Sequence, residues 1–296
     1  MNAGEPTDDP FAHTRMSLAE HLDELRSRLI KGLSAILVVF LVAWFFQDEV
    51  TRIMARPYTQ AMGWLEEYYV QEAEEVLAEH PDRKRTEYFI TDDPSDKRLR
   101  NFETRLVTIR PGESFLFVLK VCFYISLIVG SPVLLWQMWQ FIAAGLYPKE
   151  KRAIVLYFPF SLLAFLSGIL FGYFWIVPYG MYFLNRTVSI EVSTPSITVQ
   201  YFLTFLTGLC LVFGLVFQLP LLMTFLASVG MLDPRTITKY RGHFVVGAFV
   251  VAAILTPPDP FTQAMMAVPL VILFEIGIWC AKAAARRRAP GLGEGA

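Results

Sequence analysis

The chain has 296 residues, 54% of them apolar and 25 of them Phe, with a formal charge of −1 and a positive mean hydropathy. A soluble domain of this length could not cover so much apolar surface with so few charges, so a water-soluble globular enzyme is excluded and a polytopic membrane protein is expected. The charged residues sit in connections between long uncharged blocks, so the small net charge hides strong local segregation.

The first sixteen residues are polar and acidic, and no small-residue cleavage site follows the first apolar run, so no cleavable signal peptide is expected. Ser17-Leu18-Ala19-Glu20 is a capping box. It predicts a helix whose Leu18, Leu22, Leu25 and Leu29 share one face, while Glu20, Glu24 and Ser27 share another. Six apolar blocks follow, over residues 30–46, 115–142, 153–184, 201–229, 244–255 and 264–281. The expected fold is therefore all-α, with six transmembrane helices. The second, third and fourth blocks are long enough to span, a crossing needing on the order of 20 residues. The fifth is not: its run of about 12 residues reaches roughly 18 Å. The sixth is interrupted by Pro269 and Glu275, so a short final pair, with local bilayer thinning, is expected. Arg15, Arg26, Arg28 and Lys31 precede the first block, and Lys149, Lys151 and Arg152 follow the second. Arg235, Lys239 and Arg241 follow the fourth, and Lys282 with Arg286, Arg287 and Arg288 close the sixth. The alternate connections are poor in such residues, which predicts both termini in the cytoplasm.

The organisation expected is a cytoplasmic segment with an interfacial helix (1–29), a six-span membrane domain (30–285) and a cytoplasmic tail (286–296). Residues 58–110 form an inserted extracytoplasmic subdomain, with a surface helix over 63–79 and a hairpin pairing 88–91 with 102–109. It reads as an acidic cap, with a partner-docking surface as the alternative.

The polar residues within or beside the apolar blocks carry the functional argument. Charged and amide groups are expensive in lipid and usually face a bundle interior or a wet cavity, which singles out Lys120, Gln218, Asp259, Gln263 and Glu275. Gln218 precedes Pro220, which frees a backbone carbonyl one turn earlier, so a polar notch or an interhelical hydrogen bond is expected there. Lys120 could instead snorkel to the outer surface, and Asp259 could be a turn residue. Glu24 and Glu150 both lie at membrane edges on the side rich in Lys and Arg. Each is either a solvated surface charge or a receptor for an incoming cation, and a carboxylate suits a guanidinium because two parallel charge-assisted bonds match its fork. There is no nucleophile-and-base set, no glycine-rich phosphate loop, and no His or Cys grouping with metal-ligand spacing; Cys122, Cys210 and Cys280 all lie within apolar blocks. No enzyme activity, cofactor, metal or nucleic-acid partner is expected.

The chain resembles the TatC family, receptor subunits of the twin-arginine protein translocase. The likeness is carried in order by residues 21–29 (His-Leu-Asp-Glu-Leu-Arg-Ser-Arg-Leu), Ser131-Pro132 through Trp139 and Phe141, and Leu146-Tyr147 with Glu150 and Arg152. It continues with Phe217-Gln218-Leu219-Pro220, Gly247-Ala248-Phe249, Leu255-Thr256-Pro257-Pro258-Asp259 and Phe274-Glu275-Ile276-Gly277. The resemblance implies a non-enzymatic receptor in the bacterial cytoplasmic membrane. It would bind the twin-arginine signal peptides of folded precursors and assemble TatA/TatB-type single-span proteins into an oligomeric, proton-gradient-driven translocation site. It implies that Glu24 and Glu150 receive the arginine pair, that Arg26 and Arg28 order that surface, and that Phe141 and Pro132 occupy functional positions. It also implies that Thr256 and Gln263, with Asp259 nearby, take up a partner helix, and that Pro57 serves contacts between subunits. Two departures stand out. Gln218 replaces the Glu of many members and cannot titrate, and residues 58–109 are longer than the usual loop. From other classes, a proton-coupled secondary transporter would line a path with Glu275, Gln218 and Lys120, and a structural scaffold would tolerate loss of Glu24 and Glu150.

Overall fold

The computed structural model describes residues 18–80, 106–146, 151–186, 196–256 and 259–288. These are helical throughout, apart from short connections and an isolated parallel bridge between Val107 and Thr198. Among the described residues, five stretches are long and apolar enough to cross a membrane: His21–Phe45, Glu113–Ala144, Ile154–Arg186, Val199–Val229 and Pro260–Arg287.

Helix α1 (Leu18–Phe45) runs without a break from the charged motif into the first apolar block. It packs along α3 (Glu113–Ala144), with Ile36 and Ala43 buried and its remaining aliphatic residues largely exposed. After a one-residue break the chain enters α2 (Gln47–Glu79), which begins with Asp48 and Glu49 where carboxylates complement the helix dipole. Val50, Met54, Tyr58, Ala61, Leu65, Tyr69 and Ala73 recur every three or four residues and are buried in the main core, so α2 is an amphipathic helix packed onto the bundle. The inserted segment expected over 58–110 thus begins in the middle of a helix whose core contacts run straight across residue 58. The surface helix expected over 63–79 is the second half of α2. Its acidic face is exposed, but Leu65, Tyr69 and Val70 are not. The expected hairpin partner, 88–91, lies outside the described residues. Val107 pairs with the start of the fourth span, through Val107 N–H to Ile197 O and Val199 N–H to Val107 O.

Several prolines lie inside helices, and a pairing group meets the freed carbonyl at two of them. Pro132 in α3 cannot donate to Ile128 O, and Ser131 Oγ does so instead at 2.7 Å. Pro57 in α2 leaves Ile53 O free, and the Tyr173 hydroxyl donates to it from the third span. That span comprises α4 (Lys151–Phe171), a π-turn (Gly172–Ile176) and α5 (Val177–Arg186). The π-turn lies just ahead of Pro178, where the regular ladder loses a donor. Gly168 and Gly172 let this span close onto α6 (Val199–Val216). A Cβ on Gly168 would lie 2.5 Å from Phe213 O, and one on Gly172 would lie 3.2 Å from Cys210 Cα.

The fourth span breaks at Phe217–Gln218 and resumes as α7 (Leu219–Val229), with Pro220 in its first turn. Helix α8 (Pro234–Lys239) links it to α9 (Arg241–Leu255), whose 15 residues reach about 22 Å, short of a normal hydrocarbon layer. The expected short sixth run is corrected by the structure. Helix α10 (Pro260–Arg288) has 29 residues and passes through Pro269, because one lost hydrogen bond does not terminate a helix held by flanking turns. It packs tightly on α7 through Met223, Ala227, Phe274, Ile278 and Ala281.

Candidate functional site at the basic end of the bundle

Glu24 lies one turn before Arg28 on α1, and both Nε and Nη2 of Arg28 reach the same carboxylate oxygen, Oε1, at 2.7 and 2.6 Å. Oε2 of Glu24 has no protein partner among the described residues. The side chains retain 29% and 26% exposure, so the pair stands at an accessible edge. Nη1 of Arg28 also donates to Gln137 Oε1 at 3.4 Å, tying α1 to the end of α3. One turn further along α3, Phe141 stacks on His21 with ring centroids 4.4 Å apart. These two cross-links hold the first turns of α1 against α3 and fix the height of Glu24. Arg26 projects from an exposed face of α1 and has no partner among the described residues, so of the two arginines expected to order this surface only Arg28 is engaged. Glu150 lies outside the described residues, as do Ser17 and Pro257-Pro258.

Below Arg28 opens a groove of about 340 Å³, lined by Leu25, Leu29, Ser131, Leu134, Gln137, Met138, Phe141 and Leu215. Leu127, Phe165 and Leu211 line both this groove and a smaller hollow of about 40 Å³ beyond it, where Met54, Tyr173, Thr207 and Cys210 also meet. A charged, hydrogen-bonding mouth therefore leads into an almost wholly apolar interior. That arrangement suits a ligand with a cationic end followed by an apolar stretch.

The other polar residues do not join this site. Gln218 is engaged locally at both ends of its amide: Ser161 Oγ donates to its Oε1 at 2.6 Å and its Nε2 donates to Ser161 O at 2.8 Å. The polar notch expected at the fourth span is thus a reciprocal bond to the third. Glu275 pairs with Arg241 at 2.8 Å, joining α10 to the start of α9. Lys120 is half-buried on α3 without a described partner. Glu275, Gln218 and Lys120 are therefore separately accommodated rather than arrayed along one path. At the far ends of the last two helices, Asp259 Oδ2 accepts from Thr262 N–H at 2.8 Å as the cap of α10. Buried Thr256 donates to Ala252 O at the end of α9. Gln263 Nε2 donates across to Phe249 O at 3.0 Å, and of these three it is the one that bridges α9 and α10.

Sequence reasoning missed the structural partners: Gln137, Ser161, Tyr173, and Arg241 as the partner of Glu275. Gln137 and Phe141 are four apart on α3 and so share a face, which was a usable signal. The Arg241–Glu275 and Ser161–Gln218 pairs are separated by 34 and 57 positions and left none.

At the opposite end, α2 is clamped to α5 by aromatic contacts. Arg186 sits 4.2 Å from the Tyr68 ring centroid, and Trp64 packs on Tyr179 and Tyr182. The Tyr69 hydroxyl donates to Asn185 O at 3.0 Å. Burial, and then the neighbouring Glu72 carboxylate, push this phenol above its ordinary pKa, so it stays a donor.

The family model for the Sec-independent protein translocase protein (TatC) matches residues 20–269. A TatC of Aquifex aeolicus is 32% identical over 274 residues, covering 92% of this chain and 98% of the relative. The TatC of Escherichia coli K12 is 32% identical over 264 residues, covering 88% and 86%. A crystal structure of the twin-arginine translocase receptor TatC superposes with a TM-score of 0.67 at 32% identity, covering 90% of this chain and 99% of that one.

Proposed function

Because this chain belongs to the TatC family of Sec-independent protein translocase components, multi-pass proteins of the bacterial cytoplasmic membrane, we propose that its basic end is a receptor for the twin-arginine signal peptides of folded precursors. The basic end faces the cytoplasm in this reading, with both termini on that side, as the Lys and Arg distribution requires. The observation that carries the proposal is the geometry at Glu24: one carboxylate oxygen held by Arg28, the other open, at the mouth of an apolar groove.

An incoming guanidinium first meets the open oxygen Oε2 and then competes with Arg28 for Oε1. A partly exposed i,i+4 ion pair is worth only about 0.3–0.5 kcal/mol, so displacement costs little. Arg28 keeps a bond to Gln137 as it gives way. Glu150, on the same edge of the membrane, receives the second arginine. Lysine is a point charge without the planar fork and gains less from the same carboxylates. The apolar residues that follow the arginine pair occupy the groove past Phe141.

The same reading makes the outer ends of α9 and α10 the docking place for TatA/TatB-type single-span helices. There Gln263 would exchange its bond to Phe249 O for a polar group on the partner, while Thr256 and Asp259 keep the turn in shape. Local thinning of the bilayer beside the 15-residue α9 would ease passage of the cargo driven by the proton gradient.

The test is binding of a fluorescent twin-arginine peptide to the protein in nanodiscs, beside its twin-lysine counterpart. Selective binding is expected, weakened in Glu24→Gln and in Glu150→Gln. Equal affinity for the two peptides on the intact protein sinks the proposal.

A further inference from the structure

A second concave feature lies away from the Glu24 site. It is a crevice of about 610 Å³ between the break in the fourth span (Val216, Leu219) and α9 (Gly247, Val251), lined also by Ile237 of α8 and by Tyr240, which joins α8 to α9. Its volume lies within the range of roughly 300–1,000 Å³ typical of small-molecule sites. Its lining is almost entirely apolar, with Tyr240 and His243 at the rim and their rings 5.7 Å apart.

Gly247 is exposed on the crevice wall in the interior of α9, and a Cβ there would meet nothing within 4 Å. The packing of the chain against itself therefore does not require glycine, which is less favourable than alanine inside a helix. That space on the crevice wall is open to an occupant from outside the chain. Cations flank the lining residues Ile237 and Tyr240 in the chain: Lys239 ends α8, Arg241 begins α9, and Arg235 lies one turn before Lys239. Lys282 and Arg286 stand seven and eleven positions after Glu275, which puts all three within about 20° of one stripe of α10. Glu275 is held by Arg241, so this stripe faces the start of α9. These elements carry five cations against two carboxylates, both already engaged: Glu275 by Arg241, and Asp233 as the cap of α8, accepting from Arg235 N–H at 2.9 Å. Nε of Arg241 is buried and lacks an acceptor among the described residues.

We propose that this crevice is a binding site for an anionic phospholipid, with an acyl chain along Gly247 and Val251 and the phosphate among Lys239, Arg241 and His243. A basic rim above an apolar crevice between helices is the arrangement that retains such headgroups at the cytoplasmic face of a membrane. A spanning partner helix fits less well, because it would have to continue past Ile237 of α8 and Tyr240, which line the crevice, whereas a lipid ends there in its headgroup.

The experiment uses the full chain in nanodiscs of equimolar phosphatidylglycerol and phosphatidylcholine with identical acyl chains, followed by gentle extraction and native mass spectrometry. Phosphatidylglycerol should be retained over phosphatidylcholine. Lys239→Gln should lower that retention about fivefold, the effect of removing one cation near the surface. Gly247→Leu should abolish it, with unchanged thermal unfolding by circular dichroism, since the new side chain enters open space. Equal retention of the two lipids by the unaltered protein overturns the proposal, as does undiminished phosphatidylglycerol on Gly247→Leu. A co-purifying single-span protein released by Gly247→Leu, with lipid retention unchanged, overturns it in favour of a protein occupant.

Discussion

Pro57 interrupts the hydrogen-bond ladder of α2, and the group that meets the freed carbonyl comes from another span: the Tyr173 hydroxyl donates to Ile53 O. Tyr173→Phe keeps the ring and deletes that donor. The bond lies at an exposed position, where a hydrogen bond contributes about 1 kcal/mol net, so a loss of about 1 kcal/mol is expected. Pro57→Ala supplies a backbone N–H four residues after Ile53, in position to take the same carbonyl through the ordinary helical bond. In that background Tyr173→Phe should cost less, by about 1 kcal/mol. The cycle of two single variants and the double variant isolates this coupling from the change in helix propensity at residue 57. Thermal unfolding in detergent, followed by circular dichroism, reads it out, with each kcal/mol moving the midpoint by about 2 °C in a protein of this size. Equal costs of Tyr173→Phe in both backgrounds would refute the capping argument and reduce Tyr173 to a packing residue.

Gln218→Ala removes both bonds to Ser161 and should cost about 1–3 kcal/mol by the same unfolding assay, whereas Ser161→Ala leaves the Nε2 bond to its backbone oxygen and should cost less; the reverse order contradicts the pairing. Gly168→Ala would drive a Cβ to 2.5 Å from Phe213 O and should destabilise by about 2 kcal/mol or more. Gly63→Ala, in α2 with open space around it, should instead stabilise by about 0.5–1 kcal/mol, and matching effects at the two sites would disprove the close helix approach. Arg186→Gln removes the cation from the Tyr68 and Tyr182 rings, so amide hydrogen exchange should rise severalfold in the second half of α2; unchanged protection there would show that the clamp does not hold that helix.

The sequence by itself determined the membrane class, the apolar blocks, the shortness of the fifth run and the ordered motifs of the family. Each of these is written locally: a block is apolar or it is not, and Pro220 removes a backbone donor next to Gln218 whatever surrounds it. Glu24 was legible for the same reason, since a carboxylate one turn from an arginine, ahead of a span, is a pattern within a single helix. Tertiary structure alone decided where those groups find their partners. That Arg28 occupies one oxygen of Glu24 and reaches Gln137, that Gln218 is spent on Ser161, and that Glu275 holds Arg241 depend on helices brought side by side from distant parts of the chain. The length of α2 was hidden in the same way. Its low overall hydropathy resembles a soluble insert, yet its buried stripe is completed only when the second and third spans lie against it, because burying an apolar face requires a second surface that no local pattern contains.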